Sequence, residues 1–177
     1  MLVLNIHERE IPVAAAEVGA LLNSLSSSGD ALWPRTMWPA MRFDRPLGVG
    51  ASGGHGPIRY AVEEFSSSQM VKFRLSGPRG FDGFHRFEVL PQGEGFTVLR
   101  HTIAMKAKGA ALLSWPLVFR PLHDALVEDA LALAQANLGL APRVRRWSPW
   151  VKVLRWVLSL GKARSQRTPN PSGNAAR

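Results

Sequence analysis

From Met41 to Lys108 the chain alternates polar and apolar side chains with a period of two, and from Gly109 to Gly139 it changes to helical spacing. The first stretch is punctuated by turn-forming runs: "GASGGHGP" (50–57), "SSSQ" (66–69), "SGPRG" (76–80) and "PQGEG" (91–95). Between them lie "IRYAVEEF", "MVKFRLS", "FHRFEVL" and "FTVLRHTIAMKA", after an earlier strand near Arg42–Val49. Short alternating strands joined by tight turns predict an antiparallel meander. Parity puts Tyr60, Val62, Val71, Phe73, Leu75, His85, Phe87, Leu99, His101 and Ile103 on one face, and mostly charged residues, among them Arg59, Lys72, Arg86 and Arg100, on the other.

Upstream, "NIHEREIPV" reads as a short strand ended by Pro12, and Val13–Ser27 as a helix broken by Ser and Gly. "DALWPRTMWPAMRF" has a proline directly after each of two tryptophans, which favours short turns packed through their indoles. Downstream, Leu122, Leu126, Ala130 and Leu133 form an apolar stripe that stops at Gly139, with Pro142 beyond. Pro116 and Pro121 imply that the first part of this helix is bent or separate. An antiparallel sheet with one apolar face, followed by a long amphipathic helix, is satisfied when the helix lies across that face, an α+β arrangement.

The segments "GGHGPIRYAVEEF", "GFDGFHRFEV", "TVLRHTIAMKAKG" and "RPLHDALVEDALALAQANLG", in this order, resemble the helix-grip fold of the START-like, Bet v 1-like (SRPBCC) superfamily, in particular its bacterial polyketide cyclase/dehydrase and lipid transport branch. The likeness covers about residues 1–139. It implies a curved antiparallel sheet wrapped around the long helix, with an apolar cavity between them. Tyr60, Phe73, His85, Phe87, His101 and Ile103 from the sheet, and Trp115, Phe119, His123 and Leu126 from the helical segment, are the residues expected to meet a ligand there. Apolar walls with a few polar tips are the usual composition of a small-molecule site. The resemblance fixes no ligand, because the scaffold hosts transport, sensing and catalysis alike.

His85 and His101 fall on neighbouring strands. Three roles stay open for them: core histidines bonded to backbone or water, contacts to a ligand carbonyl or hydroxyl, or general bases. Trp33, Trp38, Trp115 and Phe119 either fill core or gate the cavity mouth. The five histidines, His7, His55, His85, His101 and His123, contain no HExxH and no close pair on one helix face, so a metal would need long-range convergence and none is expected. No G-x-S-x-G occurs, the serine runs are turn chemistry, and "GVGASGGHG" leads into a strand where a phosphate loop needs a helix. No cofactor is expected.

Charge and cysteine content refine this picture. The formal net charge is +9, yet residues 1–140 carry thirteen Lys or Arg against thirteen Asp or Glu, and residues 141–177 carry nine and none. A neutral body with a cationic extension is not the profile of a nucleic-acid-binding domain. The absence of cysteine excludes disulfides, and the opening residues lack a secretory pattern, so a cytoplasmic setting is expected. From Pro149 the extension reads as a basic amphipathic helix, with Lys152, Arg155, Ser159 and Lys162 along one side, too short to span a bilayer. Its composition suits an anionic membrane surface contacted through Arg145, Arg146, Trp147, Trp150, Lys152, Arg155 and Trp156, or docking on the body or in an oligomer. The expected organisation is a domain at 1–140, a helical extension at 141–164 and a disordered end at 165–177. The function expected is binding of a hydrophobic small molecule as carrier or sensor, with an aromatase/cyclase-type enzyme and a membrane-surface module as alternatives.

Overall fold

The computed structural model describes residues 1–165, with side chains through Leu158. Two compact units result, Met1–Arg145 and the segment from Arg146 onward.

The first unit is built on one seven-stranded antiparallel sheet: β1 (Leu2–Ile11), β2 (Arg42–Phe43), β3 (Ser52–His55), β4 (Ile58–Ser66), β5 (Met70–Gly77), β6 (Phe81–Pro91) and β7 (Thr97–Ala107). The spatial order is β1-β7-β6-β5-β4-β3-β2, so the first strand pairs with the last and closes one edge. Every residue assigned to the inner face from Tyr60 to Ile103 is buried. Burying one large apolar side chain such as Phe73 or Phe87 contributes about 1.5–3 kcal/mol, which is why period-two parity dictates the register here.

Three details differ from the sequence expectations. The early strand contracts to Arg42–Phe43, and Ser52–His55, expected within a turn, is strand β3. Its glycines are what allow this: a Cβ on Gly53 would lie 1.9 Å from the Arg42 carbonyl oxygen, and one on Gly54 the same distance from that of Ile58. Of the two alternatives for the prolines, a bent or a separate first part, the helix is not separated but carries an irregular turn at them. It runs from α2 (Ala111–Ser114) through a π-helical turn (Trp115–Phe119) into α3 (Arg120–Asn137). Pro116 and Pro121 donate no backbone bond, and the widened turn absorbs the gap, with the Arg120 N–H reaching back five residues to Trp115 O. The buried face of α3 centres on Leu126, Val127, Ala130, Leu131 and Ala134, leaving Leu122 and Leu133 half-buried at its margins.

Helix α1 (Ala15–Asn23) docks on the β4–β5 turn. Asn23 Oδ1 accepts the Ser68 N–H at 2.8 Å, and Asn23 Nδ2 donates to Ser68 Oγ at 2.8 Å. The indoles of the proline-broken segment are core: Trp33 and Trp38 are buried, donating at 2.9 Å to Pro39 O and at 2.8 Å to Asp129 Oδ2.

In the second unit, α4 (Pro149–Ser165) begins where expected. Ser148 caps it, its Oγ accepting the Val151 N–H at 3.2 Å, with Pro149 in the first turn. The Arg155 guanidinium lies 4.1 Å from the centre of the Trp147 ring, a cation–π contact. Trp150, Val153, Trp156, Val157 and Leu158 are exposed. Among the described residues no helix is long and apolar enough to cross a membrane. The side chains of Ser159 and Lys162, and the expected disordered end beyond Ser165, lie outside the described residues.

Candidate ligand-binding site

Strand register builds the site. Phe73, His85 and Ile103 stand opposite one another across β5, β6 and β7, and Val71, Phe87, His101 and His7 form the neighbouring row from β5 to β1. Opposed residues in an antiparallel pair share a face, so these rings must meet. His85 stacks on Phe73 at 4.7 Å and meets Tyr60 edge-on at 4.6 Å, and Phe87 meets His101 at 4.5 Å.

The helical segment supplies the opposite wall. His123 on α3 lies 5.0 Å from His101, ring centre to ring centre. Trp115 and Phe119, displaced by the π-helical turn, meet Phe81 at 5.9 and 5.0 Å, and Trp115 is 6.0 Å from His123. Leu126 is buried on the same helix. The sheet and helix residues expected to contact a ligand therefore converge, through ring contacts for all but Ile103 and Leu126.

One arrangement goes beyond parity. All five histidines, with Tyr60, form a line across the interior: His55, Tyr60, His85, His101, His123, His7. Successive links are a 2.9 Å hydrogen bond between His55 Nδ1 and the Tyr60 hydroxyl, the Tyr60–His85 ring contact, a 3.4 Å approach of His101 Nε2 to His85 Nδ1, the His101–His123 contact, and a 5.8 Å edge contact from His123 to His7. Among these, His85 Nε2, His101 Nδ1 and His123 Nε2 are buried without a hydrogen-bond partner.

The two ends of the line differ electrostatically. Burial holds His85 and His101 well below the ordinary imidazole value, reinforced by neighbouring histidines. Burial lowers His123 as well, against the pull of Asp124, and brings His55 down to about 3. It also raises the Tyr60 phenol. These rings are neutral at physiological pH. His7 goes the other way: burial opposes its charge, but hydrogen bonds and charge from Asp124 and Glu128 outweigh that and raise its pKa. The Asp124 carboxyl is held below the usual carboxylate range, because hydrogen bonds from His123, His7 and Asn5 outweigh the effect of burial.

That acidic end depends on β1, whose parity is the reverse of its hydrophobicity. Leu2, Leu4 and Ile6 are exposed, whereas Asn5, His7 and Arg9 point at α3. Asn5 Nδ2 donates to Asp124 Oδ1 at 2.9 Å, His7 bridges Asp124 Oδ1 (3.1 Å) and Glu128 Oε1 (2.9 Å), and Arg9 donates to Glu128 Oε2 at 2.9 Å. Sequence reasoning passed over His7, His55, Asn5 and Arg9 as site residues. The one available signal was the polar alternation Asn5, His7, Arg9 itself.

Of the residues expected at a membrane, Arg145 lies 3.7 Å from Glu128 within the first unit, although its side chain is largely exposed. Trp147 and Arg155 pair with each other in the second.

No known family profile matches the sequence, and no curated protein matches it. Solved structures do. A protein from Thermobifida fusca determined by solution NMR superposes with a TM-score of 0.60 over 80% of this chain and 99% of its own, at 17% identity. Norcoclaurine synthase from Thalictrum flavum, in complex with dopamine and hydroxybenzaldehyde, gives 0.56 over 78% of this chain and 88% of its own, at 16% identity. A START superfamily protein from Mycobacterium smegmatis gives 0.51 over 74% and 92%, at 13% identity. The fold is the helix grip. In the helix-grip domain of this chain the seven-stranded sheet and the long helix are the elements that position the histidine line. At such identities the likeness concerns the fold alone, and the chemistry has to be argued from the side chains.

Proposed function

We propose that this helix-grip domain binds a hydrophobic small molecule carrying one or two oxygen functions, such as a lipid, an isoprenoid or a polyketide-like compound, between the sheet and α3, as a carrier or sensor. The observation behind this reading is the set of three buried imidazole nitrogens without partners, on His85, His101 and His123, among Phe73, Phe87 and Trp115. A buried polar atom left unpaired costs about 1–3 kcal/mol, and a ligand carbonyl or hydroxyl offsets that cost. Neutral imidazoles suit an uncharged partner, since each offers one donor and one acceptor. The complex of norcoclaurine synthase with dopamine and hydroxybenzaldehyde, small oxygenated aromatics, supports the same use of the scaffold. Native mass spectrometry of protein purified from its own host tests the proposal. A retained apolar adduct of defined mass is expected; a bare protein that also fails to take up oxygenated apolar probes contradicts it.

An aromatase/cyclase-type activity is a second reading, favoured by the neutral His85–His101 pair 3.4 Å apart and by the Tyr60 hydroxyl bonded to His55. Burial makes both imidazoles weak bases, so the chemistry that suits them is donating or relaying a proton between the paired rings rather than abstracting one from a weak acid. Turnover of a polyketide-like substrate that disappears in His101→Phe supports it; equal turnover in that variant removes it.

For α4 we propose contact with an anionic membrane surface. Exposed Trp150 and Trp156 lie beside Lys152 and Arg155, in a stretch where 141–177 carries nine cations and no acid. Each cation near such a surface contributes about 1 kcal/mol. Deleting residues 146–177 is expected to abolish binding to vesicles containing phosphatidylserine, and undiminished binding would remove α4 from that role.

A further inference from the structure

The acidic end of the histidine line has a geometry that an ion network alone does not require. His7 on β1 and His123 and Asp124 on α3 bring two imidazole nitrogens and a carboxylate oxygen within 4.8 Å of one another. Asp124 Oδ1 is the shared vertex, 3.1 Å from His7 Nε2 and 3.4 Å from His123 Nδ1. A metal bound at about 2.0–2.1 Å to each ligand in a tetrahedral set spaces the ligand atoms about 3.3–3.4 Å apart, so two of the three edges already have the required length. The third needs to contract by at most about 1.5 Å, within reach of imidazole rotation.

The surrounding groups are those a metal site needs. A ligating histidine usually passes its other ring N–H to a carboxylate, which fixes the tautomer and turns the lone pair to the ion. Glu128 Oε1 is placed to accept that hydrogen from His7 Nδ1, at 2.9 Å, and Glu128 is itself held by Arg9 at 2.9 Å. The carboxylate vertex is steadied by the Asn5 amide at 2.9 Å. An independent observation comes from His123. Its ring is largely enclosed, and Nδ1 approaches Asp124 Oδ1 at a long 3.4 Å; with the ring proton moved to the unpartnered Nε2, Nδ1 turns a lone pair to the same vertex as His7 Nε2. Asp124 is the outermost of the three, its side chain one-third exposed with Arg120 3.7 Å from Oδ2, beside the more enclosed His7 (10%) and His123 (16%).

We propose that His7, His123 and Asp124 form a binding site for one divalent first-row transition ion, zinc being the natural occupant of an N2O donor set, with a coordination position left for water. Two histidines and a carboxylate holding an ion with an open position is a donor set that zinc and other first-row ions accept. The site shares the His123 ring with the proposed ligand-binding interior but uses its Nδ1, leaving Nε2 to a ligand there.

The test uses the full-length chain, free of any polyhistidine tag, titrated with Co2+ and then Zn2+. The expected result is a visible d–d spectrum that saturates at one Co2+ per chain and is displaced by Zn2+. Asp124→Asn and His123→Gln are each expected to weaken Co2+ binding about a hundredfold or more, while Asp82→Asn, a surface acid paired with Lys108, leaves it unchanged. Should a variant fold poorly, NMR of the unmodified chain decides: bound Co2+ must shift the ring protons of His7 and His123 and leave those of His55 in place. No saturable spectrum up to millimolar Co2+, undiminished binding in folded Asp124→Asn, or shifts confined to other histidines would each overturn the site.

Discussion

His7 and His101 stand directly opposite each other across β1 and β7, yet the fold shifts their pKa values in opposite directions. His7 meets Asp124 and Glu128 and is biased toward the imidazolium, whereas His101, one strand further in, meets Phe87, His85 and His123 and is kept neutral. One strand spacing separates a charged rim from an uncharged interior, and the experiments below exploit that boundary.

Replacing both His85 and His101 by Phe removes two of the unpaired buried nitrogens while roughly conserving ring volume. Stability to urea is expected to hold or rise, because an unsatisfied polar atom is exchanged for carbon. Affinity for an oxygenated apolar probe should fall about tenfold for each lost hydrogen bond, about 1.4 kcal/mol. Fluorescence titration reads the result; unchanged affinity in the folded double variant means that these rings do not touch the ligand.

Acid should unfold the domain early. His55, lowered to about 3, and His85, also lowered, stay neutral in the fold but take up protons at about 6.5 when unfolded. Their contribution is therefore complete above pH 6.5 and is lost as the pH falls below it, at about 1.4 kcal/mol per pH unit for each ring. His101 and His123 are lowered as well and add to the same trend, so urea midpoints measured between pH 7.5 and 5 should drop steeply, and His55→Phe should reduce the slope by about a quarter, one ring of four. A flat profile would contradict the neutral assignment.

Glu128 ties Arg9 and His7 together at the rim. Glu128→Gln leaves the enclosed Arg9 guanidinium, and the His7 ring beside it, with a weakened partner, which costs about 3 kcal/mol. Adding Arg9→Met to that variant should recover part of the loss, since the second change removes an unpaired charge. A double-mutant cycle by denaturant unfolding measures the coupling, and a value near zero would mean that the pair is a passive surface contact.

Gly19 offers a case where two effects compete. Alanine in a helix is favoured over glycine by about 1 kcal/mol. A Cβ there, however, would come within 2.5 Å of the Ser68 carbonyl oxygen and Cβ, and backbone has to move to relieve it. Overpacking of this kind costs about 1–3 kcal/mol. Gly19→Ala should therefore lower Tm by a few degrees despite its helix preference, and calorimetry showing a gain would mean that the α1 contact with the β4–β5 turn is loose.

The sequence displayed the central sheet because β4 to β7 obey one rule: each alternates, and one parity is apolar, so Phe73, His85, Phe87 and His101 could be assigned a face from Tyr60 onward without coordinates. β1 breaks that rule. Its hydrophobic residues Leu2, Leu4 and Ile6 face outward because the inward positions answer to acids on α3, more than a hundred residues away, and no local pattern reports a partner at that distance. His55 was hidden for a different reason. Its glycine-rich neighbourhood reads as a turn, and only the close approach of Arg42 and Ile58 to Gly53 and Gly54 shows that it is strand. The long helix was legible in length, while its passage through Pro116 and Pro121 depended on a π-helical turn that propensity does not foresee.

The inverted face of β1 also determines how this flank of the sheet can give way. As an edge strand it has β7 as its single neighbour in the sheet, and from Asn5 to Arg9 it leans on α3 through hydrogen-bonded polar and charged groups. Lifting that stretch hands carboxylates, an imidazole and a guanidinium to water, which solvates them well, so this flank can part without wetting the aromatic interior behind it. Amide exchange should accordingly run fastest here among the long strands.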